Sequence, residues 1–270
     1  MIPKSKLAGK LKIVVLAGGI SHERDISLKS GRRVADALIE KGAQVVMREP
    51  DHELLANLKK DKPDVIWPVL HGASGEDGAL RDILSLTGIP FVGATGPSAK
   101  LAWDKSVAKT LVERDGIQTP GSITLPRETF KELDAESVLK LVTKSMALPV
   151  VVKPARSGSA QGVTIVKKQD QLNQAMIDAY VYCDVAIIED FVEGTELAVG
   201  VIDLGAGPIA LPAVEIKPRS GHFGFEERYI AGETDYFVPA RLTKAVAAKA
   251  AKVAILSLIH ISEPTRLRRI

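Results

Sequence analysis

The sequence predicts an α/β domain at the N-terminal end of the chain, followed by α+β domains. The apolar run at residues 11–17 leads into Gly18 and Gly19 and then into a helical pattern, as at the start of a parallel α/β unit. Further along, two β-branched runs at 150–152 and 163–166 flank small and polar residues, which indicates a hairpin with a flexible tip.

Composition excludes several classes of protein. The 270 residues are 46% hydrophobic and 26% charged, which is ordinary for a soluble globular protein of two or three small domains. The net charge of +3 is too small to indicate a nucleic acid or an acidic membrane surface as partner. No apolar run approaches the roughly 20 residues of a membrane span. A single cysteine, Cys183, excludes an internal disulfide, so a cytoplasmic protein is expected.

Alternating strands and helices predict a doubly wound domain over residues 1–97. Short apolar runs predict the strands, and apolar residues at helical spacing predict the helices. The predicted strands are 11–17, 45–47, 64–70 and 88–93, and the predicted helices are 27–41, 54–58 and 76–86.

Two candidate functional residues follow strands of this first domain. Glu23 lies in the turn after the first strand, where open α/β sheets bind ligands, although a carboxylate there also stabilises a helix start. His71 comes directly after the third strand and could donate to an anion, or serve only as part of the turn.

The next stretch combines predicted helices with the hairpin. Helices are predicted at 98–114, at 134–147 with Asp134 as the cap, and at 169–180. Lys105 lies off the apolar face of the first of these helices, so it is solvated unless it faces a nucleotide cleft.

Lys153 ends the first hairpin strand at the mouth of the loop. Small residues in the loop let backbone N–H groups approach a phosphate, and glycine permits positive φ; the alternative is a mobile hairpin tip. These loop residues are Ser157, Gly158, Ser159, Ala160 and Gly162.

The last part contains three predicted strands and a long loop. The strand at 185–192 ends in residues that could offer backbone groups and apolar faces to a purine, or form a plain sheet with an acidic turn. These residues are Glu189, Asp190, Phe191 and Val192, with Glu196 following. Further strands are predicted at 196–203 and 208–216. The irregular stretch 219–240 is long enough to be functional, and Arg228 and Tyr229 are its candidates for a closing lid.

Four segments together resemble the D-alanine–D-alanine ligases, which are ATP-grasp enzymes. They are GGISHERDISLKSG (18–31), LHGASGEDG (70–78), VVKPARSGSAQGV (151–163) and FEERYIAGETDYFVPA (225–240). The resemblance implies a central ATP-grasp subdomain at 98–186 and an incomplete C-terminal one at 187–256. It also implies the reaction, in which ATP phosphorylates one D-alanine and the amine of a second attacks the acyl phosphate, for peptidoglycan synthesis.

The resemblance assigns roles to the candidate residues. Lys105, Lys153 and the 157–162 loop match phosphate-binding groups. Glu189, Phe191 and Val192 match the adenine edge, with Asp190 between them as a further nucleotide-binding candidate, and Glu196 matches the ribose ligand. Glu23 matches the partner of the first D-alanine's ammonium, and His71 a histidine near the acyl phosphate. Ser159 and Tyr229 match a serine and tyrosine that bond to each other and to Glu23, and Tyr229 favours an amine nucleophile. Arg228 replaces the family's lid lysine and keeps its charge.

The end of the chain departs from the family pattern. Residues 257–270, SLIHISEPTRLRRI, match nothing in the family and resemble a translated cloning read-through. The Asp, Glu and Asn ligands that the family uses for two Mg²⁺ ions lie beyond this point, and Glu263 alone cannot replace them. The sequence therefore predicts a truncated ligase with no metal ligands and no turnover.

Three alternatives stay open. The chain could be another ATP-grasp carboxylate–amine ligase with a different second substrate, or a non-catalytic nucleotide-binding fragment. It could also fail to fold stably, because lost core strands remove buried apolar area. The family is typically dimeric, and the sequence leaves the oligomeric state open.

Overall fold

The computed structural model describes residues 11–262, which form two compact units that divide between Trp103 and Asp104. The division of the chain at 97/98, 186/187 and 256/257 stays a prediction. The basic N-terminal residues 1–10 and residues 263–270 of the expected tail, Glu263 among them, lie outside the described residues. Within residues 11–262, no helix is long and apolar enough to cross a membrane.

The first unit contains a parallel three-stranded sheet with helices on both faces. Its strands are β1 (Lys12–Leu16), β2 (Gln44–Arg48) and β3 (Val65–Pro68), in the order β2-β1-β3. Its helices are α1 (Arg24–Glu40), α2 (Leu54–Asp61), α3 (Ala73–Glu76), α4 (Ala79–Leu86) and α5 (Gly96–Trp103).

Side chains of β1 alternate between two cores. Ile13 and Val15 pack with Ala35 and Leu38 of α1. On the opposite face, Val14 and Leu16 pack with leucines of α2 and α4. Because successive residues of a strand point to opposite faces, this alternation gives the doubly wound arrangement that the sequence predicts.

The second unit begins with a helix and an antiparallel four-stranded sheet. The helices are α6 (Lys105–Arg114), α7 (Arg127–Glu132), α8 (Ala135–Ser145) and α9 (Leu172–Tyr182). The strands are β4 (Ser122–Pro126), β5 (Val150–Pro154), β6 (Thr164–Val166) and β7 (Val185–Asp190), in the order β4-β7-β5-β6. The predicted hairpin is β5 and β6, which pair antiparallel with Val150 opposite Val166. Apolar residues of α7, α8 and α9 pack on this sheet in one core.

The rest of the second unit is built from short strands. β8 (Glu196–Ala198), β11 (Val214–Pro218) and β12 (Thr234–Phe237) form a sheet in the order β12-β11-β8, and β9 (Val201–Asp203) pairs with β10 (Pro208–Ala210). The helix α10 (Phe225–Tyr229) precedes β12. The helix α11 (Lys244–Ser257) continues into a π-helical turn, Leu258–Ser262.

Several predicted elements are wrong in detail. The helix predicted at 98–114 is two helices, because Asp104 has an extended backbone and its carboxylate caps α6 by accepting from the N–H groups of Ser106 and Val107. The strand predicted at 88–93 is one parallel bridge between Ile66 and Phe91.

The later elements are more broken than the sequence indicates. The strands predicted at 196–203 and 208–216 are interrupted; the carbonyl of Gly200, between β8 and β9, accepts from the N–H of Leu211. The stretch 219–240 is not wholly irregular, since it contains α10 and β12. The sequence patterns also missed β4 and α7.

Candidate active site

Hydrogen bonds from two serine side chains connect the segment that follows β1 with the segment that follows β3. Ser27 accepts a hydrogen bond from the Gly18 N–H (2.8 Å) and donates to the Val69 carbonyl (2.6 Å). Ser21 donates to the carbonyl of His71 (2.8 Å). These bonds hold the turn after β1 against the segment after β3, so two segments that the sequence singled out meet at one edge of the first unit.

Glu23 is buried at this edge, with 3% of its surface exposed. It precedes α1, but within the described chain its side chain makes no capping hydrogen bond to that helix. Its Oε2 lies against Gly72, where an added Cβ would be 2.5 Å from that oxygen, and Gly72 has a φ of +74°. Glu23 is thus the residue at which α1 begins, as its alternative explanation has it, and its carboxylate also lies against the segment after β3.

His71 has polar neighbours on both sides of its ring. Its Nε2 lies 3.3 Å from the hydroxyl of Ser30, and its Nδ1 lies 4.0 Å from Oε1 of Glu76. Glu23 and His71 thus follow neighbouring strands and belong to the first unit, whereas the other candidate residues belong to the second.

Lys105 is tied to the phosphate-loop candidate. Its Nζ donates to the carbonyl of Ser157 (2.8 Å), and its backbone N–H donates to the carbonyl of Ala155 (3.0 Å). The lysine is therefore not simply solvated. It holds the start of the loop that follows β5.

The sequence patterns missed Lys109, which lies one turn after Lys105 on α6. Its Nζ lies 2.8 Å from Oε1 of Glu189 and 2.6 Å from the carbonyl of Pro120. Lys153 forms an ion pair with Oε2 of the same carboxylate. The signal was available, because residues four apart on a helix share a face.

The carboxylate of Glu189 is therefore buried between two ammonium groups. Burial by itself would raise its pKa, but hydrogen bonds from Lys109 and Lys153 outweigh burial and the net pKa is lowered. Glu189 is ionised at neutral pH, and both of its oxygens are engaged.

The loop between β5 and β6 turns through left-handed backbone. Positive φ occurs at Ser159 (51°), Ala160 (58°) and Gly162 (69°). The sequence attributed such conformations to glycine, which is right at Gly162 only. A left-handed conformation costs a residue with a Cβ about 1–2 kcal/mol, and such strain concentrates at functional sites.

Tyr229 holds this loop from α10. Its hydroxyl lies 2.5 Å from the hydroxyl of Ser159, which is the hydrogen bond that the resemblance implies. The guanidinium of neighbouring Arg228 lies 4.1 Å from the ring centroid of Phe223. Burial raises the pKa of Glu196, while the charge of Arg228 opposes that rise.

The end of β7 presents a short stretch of backbone. The N–H of Asp190 donates to the Gly121 carbonyl (3.0 Å), and that of Phe191 donates to the Pro149 carbonyl (3.3 Å). Val192 follows with 68% of its surface exposed. Among these three residues, Val192 is the one whose N–H is left for a ligand in the described part of the chain.

The side chains of the described residues do not form a metal site. Within residues 11–262, no group of three or more His, Cys, Asp or Glu side chains could hold a metal ion. The described residues therefore do not fit the two Mg²⁺ ions that the family resemblance implies.

The comparison with family models matches residues 111–266 to the D-Ala D-Ala ligase C-terminus, which is more than half of the chain. A D-alanine–D-alanine ligase from Bordetella petrii is 36% identical over 253 residues, which cover 94% of this chain and 74% of that protein. The chain belongs to the D-alanine–D-alanine ligase family. The resemblance stated from four motifs is thus confirmed. The match ends inside the segment that we attribute to a foreign sequence, and the origin of that segment stays a prediction.

Solved ligase structures share the fold. The VanG D-Ala:D-Ser ligase from Enterococcus faecalis superposes with a TM-score of 0.74 at 26% identity, over 94% of this chain and 83% of that one. The D-alanine–D-alanine ligase from Bacillus anthracis complexed with ATP gives 0.73 at 24% identity, over 93% and 78%. The ATP-grasp fold class predicted from the sequence is therefore confirmed.

Proposed function

We propose that this chain carries the ATP- and D-alanine-binding residues for ligation of two D-alanines to D-alanyl-D-alanine, in the cytoplasm, for peptidoglycan synthesis. The observation that supports this most is the hydrogen-bonded pair of Ser159 and Tyr229, which fastens a strained phosphate-type loop beside two lysines. Family membership supplies the reaction class.

The phosphate end of ATP would meet the cations and N–H donors of the second unit. In phosphoryl transfer, the protein contributes mainly positioning and stabilisation of negative charge. Lys105 and Lys153 supply ammonium groups, and the 157–162 loop supplies backbone N–H groups. Arg228 supplies a third cation, and its guanidinium stacks on the ring of Phe223.

The nucleoside end would meet the end of β7. The Val192 N–H is the backbone donor that we assign to the purine, with Phe191 beside it. The Glu189 carboxylate would accept from an exocyclic amino group, and Glu196 would accept from the ribose hydroxyls.

The amino-acid substrate would depend on residues of the first unit. The buried carboxylate of Glu23 suits the ammonium of the first D-alanine, and His71 suits the charge that develops on its carboxylate. Tyr229 favours an amine as the second nucleophile. Mg²⁺ would neutralise charge on the phosphates, but the described residues offer no ligands for it, so no step is assigned to it.

The test is phosphate release from ATP and Mg²⁺ on addition of D-alanine, with L-alanine as the matched control. Ligation predicts release and dipeptide with D-alanine only, and loss of both in Glu23→Gln. Release that is equal with both enantiomers, or that persists in Glu23→Gln, would contradict the assignment of Glu23.

A second candidate is a nucleotide-binding protein without turnover, which is favoured because residues 11–262 contain no group of three or more His, Cys, Asp or Glu side chains that could hold a metal ion. It predicts ATP binding with no D-alanine-dependent phosphate release. This is the outcome that the sequence leads us to expect for this chain, and measurable release would exclude it.

A different second substrate is the third candidate, since one of the similar structures is named a D-Ala:D-Ser ligase. If release occurs, mass analysis of the products formed with D-alanine, D-serine and D-lactate decides the question. We expect the amine substrates to react and D-lactate to fail. An ester product would contradict the role given to Tyr229.

A further inference from the structure

Lys109 is almost buried and lies in none of the motifs that identify the family. Its side chain is 13% exposed, and its ammonium bridges the Glu189 carboxylate at the end of β7 and the Pro120 carbonyl just before β4. We propose that Lys109 is a positioning residue for nucleotide recognition, which directs the Glu189 carboxylate toward the purine and releases Lys153 for the phosphates. This inference rests on the proposed function.

The charges explain why two lysines are needed. Glu189 has one ammonium on each oxygen, and its side chain is 7% exposed. When Lys153 turns toward a phosphate, the carboxylate loses one of its two partners. A buried charge without a partner is strongly destabilising, so a lone Lys153 would stay with Glu189. Lys109 removes this conflict, because it remains on Oε1 while Oε2 becomes available to a ligand.

The second contact of Lys109 fixes the same region from the other side. Pro120 precedes Gly121, and the Gly121 carbonyl accepts from the N–H of Asp190. The side chain of Asp190 also lies against this strand end, since an added Cβ at Gly121 would be 2.5 Å from its Oδ2. Lys109 thus restrains both the carboxylate and the strand end that precedes the purine-binding stretch.

The experiment compares the affinity of ATP with that of purine riboside 5′-triphosphate, which lacks the 6-amino group. Binding is measured by calorimetry and requires no turnover. We expect the natural chain to prefer ATP about tenfold or more, since a hydrogen bond to a charged group contributes more than a neutral one. In Lys109→Met, the preference should fall below about threefold, because a charge-assisted bond that is misdirected is largely lost.

Two further variants distinguish a positioning role of Lys109 from a purely structural one. Lys109→Arg keeps the charge and should retain most of the preference for ATP. Lys140→Met removes an exposed lysine that pairs with Glu136 on α8, and it should leave both affinities unchanged. A merely structural role for Lys109 would weaken both nucleotides equally and leave their ratio as it was.

A double variant keeps the inference testable if Lys109→Met does not fold. If Lys109→Met alone is unfolded, Glu189→Gln combined with Lys109→Met removes the unpaired carboxylate and should show the same nucleotide ratio as Glu189→Gln alone. Retained preference in Lys109→Met, or a different ratio in the double variant, overturns the inference while ATP binding by the natural chain still supports the proposed function. No ATP binding by the natural chain refutes both.

Discussion

The hydroxyl groups of Ser159 and Tyr229 lie 2.5 Å apart although 70 positions separate them in the chain. A hydrogen bond of this kind contributes about 1 kcal/mol net. We therefore predict that Tyr229→Phe and Ser159→Ala each raise amide hydrogen exchange in the 157–162 loop by a few-fold.

The double variant provides the control for this prediction. If the two hydroxyls act through each other, Tyr229→Phe with Ser159→Ala should exchange no faster than either single variant. Fully additive effects would mean that the two groups restrain the loop independently.

Glu215 and Arg241 form a second pair of single residues with a measurable effect. Hydrogen bonds from the side chain and backbone of Arg241 lower the pKa of Glu215 from 4.5 to about 2. A carboxylate whose pKa is lowered by folding stabilises the fold above its unfolded pKa. That stability is lost as the pH falls from about 4.5 toward 2.

We therefore predict that Glu215→Gln lowers the melting temperature at pH 7. Between pH 4.5 and 2, the melting temperature of this variant should fall less than that of the natural chain. Glu136→Gln is the control, because Glu136 forms an exposed pair with Lys140. If the melting temperatures of the natural chain and of Glu215→Gln depend on pH in the same way, the stabilising role given to the Glu215–Arg241 pair is contradicted.

At the residue level, the sequence could predict which side chains carry chemistry, but not their partners. Lys105 and Lys153 were candidates because of their place beside a loop and a strand. That Glu189 shares its oxygens between Lys153 and Lys109 depends on pairing between β5 and β7, which local patterns do not contain. Helical spacing from Lys105 could have indicated Lys109 as a neighbour on the same face of α6, but not as a partner of Glu189.

Among the elements, the segment after β3 depends on one glycine. Gly72 has a φ of +74° and lies where a Cβ would meet Oε2 of Glu23 at 2.5 Å. Gly42 has a φ of +89° with nothing within 4 Å of the same position. Both substitutions carry a backbone cost, and it is larger at Gly72, whose φ of +74° and ψ of −166° lie in a region that essentially only glycine adopts. Only Gly72→Ala also displaces the Glu23 carboxylate.

Chemical denaturation of the two variants tests this comparison. We expect Gly72→Ala to lower the free energy of unfolding by about 1 kcal/mol more than Gly42→Ala, as for an overpacked site. Equal losses would contradict both the backbone cost and the contact with Glu23 that we assign to Gly72.

The helix α6 positions Lys105 and Lys109, and its start depends on Asp104. The Asp104 carboxylate accepts from the N–H of Ser106 (3.0 Å) and of Val107 (3.3 Å). We predict that Asp104→Ala lowers the free energy of unfolding by about 1 kcal/mol, which is the usual effect of losing such a cap.

Asp104→Asn is the matched control, because asparagine also caps helices and should retain most of the stability. Denaturant titration separates the two variants. If Asn and Ala are equally destabilising, the charge of Asp104 rather than its capping bond would be responsible.

Elements with strong periodic patterns could be predicted, and those defined by a single interruption could not. The apolar spacing of 98–114 continues across Asp104, so the spacing alone does not show that one helix ends and another begins there. The strand β4 was missed because it is short, lies at the edge of its sheet and is exposed at alternate residues. The break at Gly200 likewise leaves the apolar pattern of β8 and β9 unchanged.

For the whole molecule, four short motifs were enough to predict the family and the fold. Their order along the chain is specific even though each motif alone is not. The pairing order β4-β7-β5-β6 brings Ser122 opposite Glu189, a distant contact that neither the local patterns nor the four motifs predicted. Residue roles within the site, by contrast, stay proposals that binding measurements must test.

The most direct test of the account is calorimetric titration of the chain with ATP, in the natural form and as Lys153→Met, with Lys140→Met as the control. We predict that ATP binds the natural chain and Lys140→Met equally, and that Lys153→Met weakens binding by about a hundredfold, because a charge-assisted contact to phosphate is lost. Unchanged affinity in Lys153→Met, or no binding to any form, would contradict the central claim that the β5–β6 loop and its lysines bind a triphosphate.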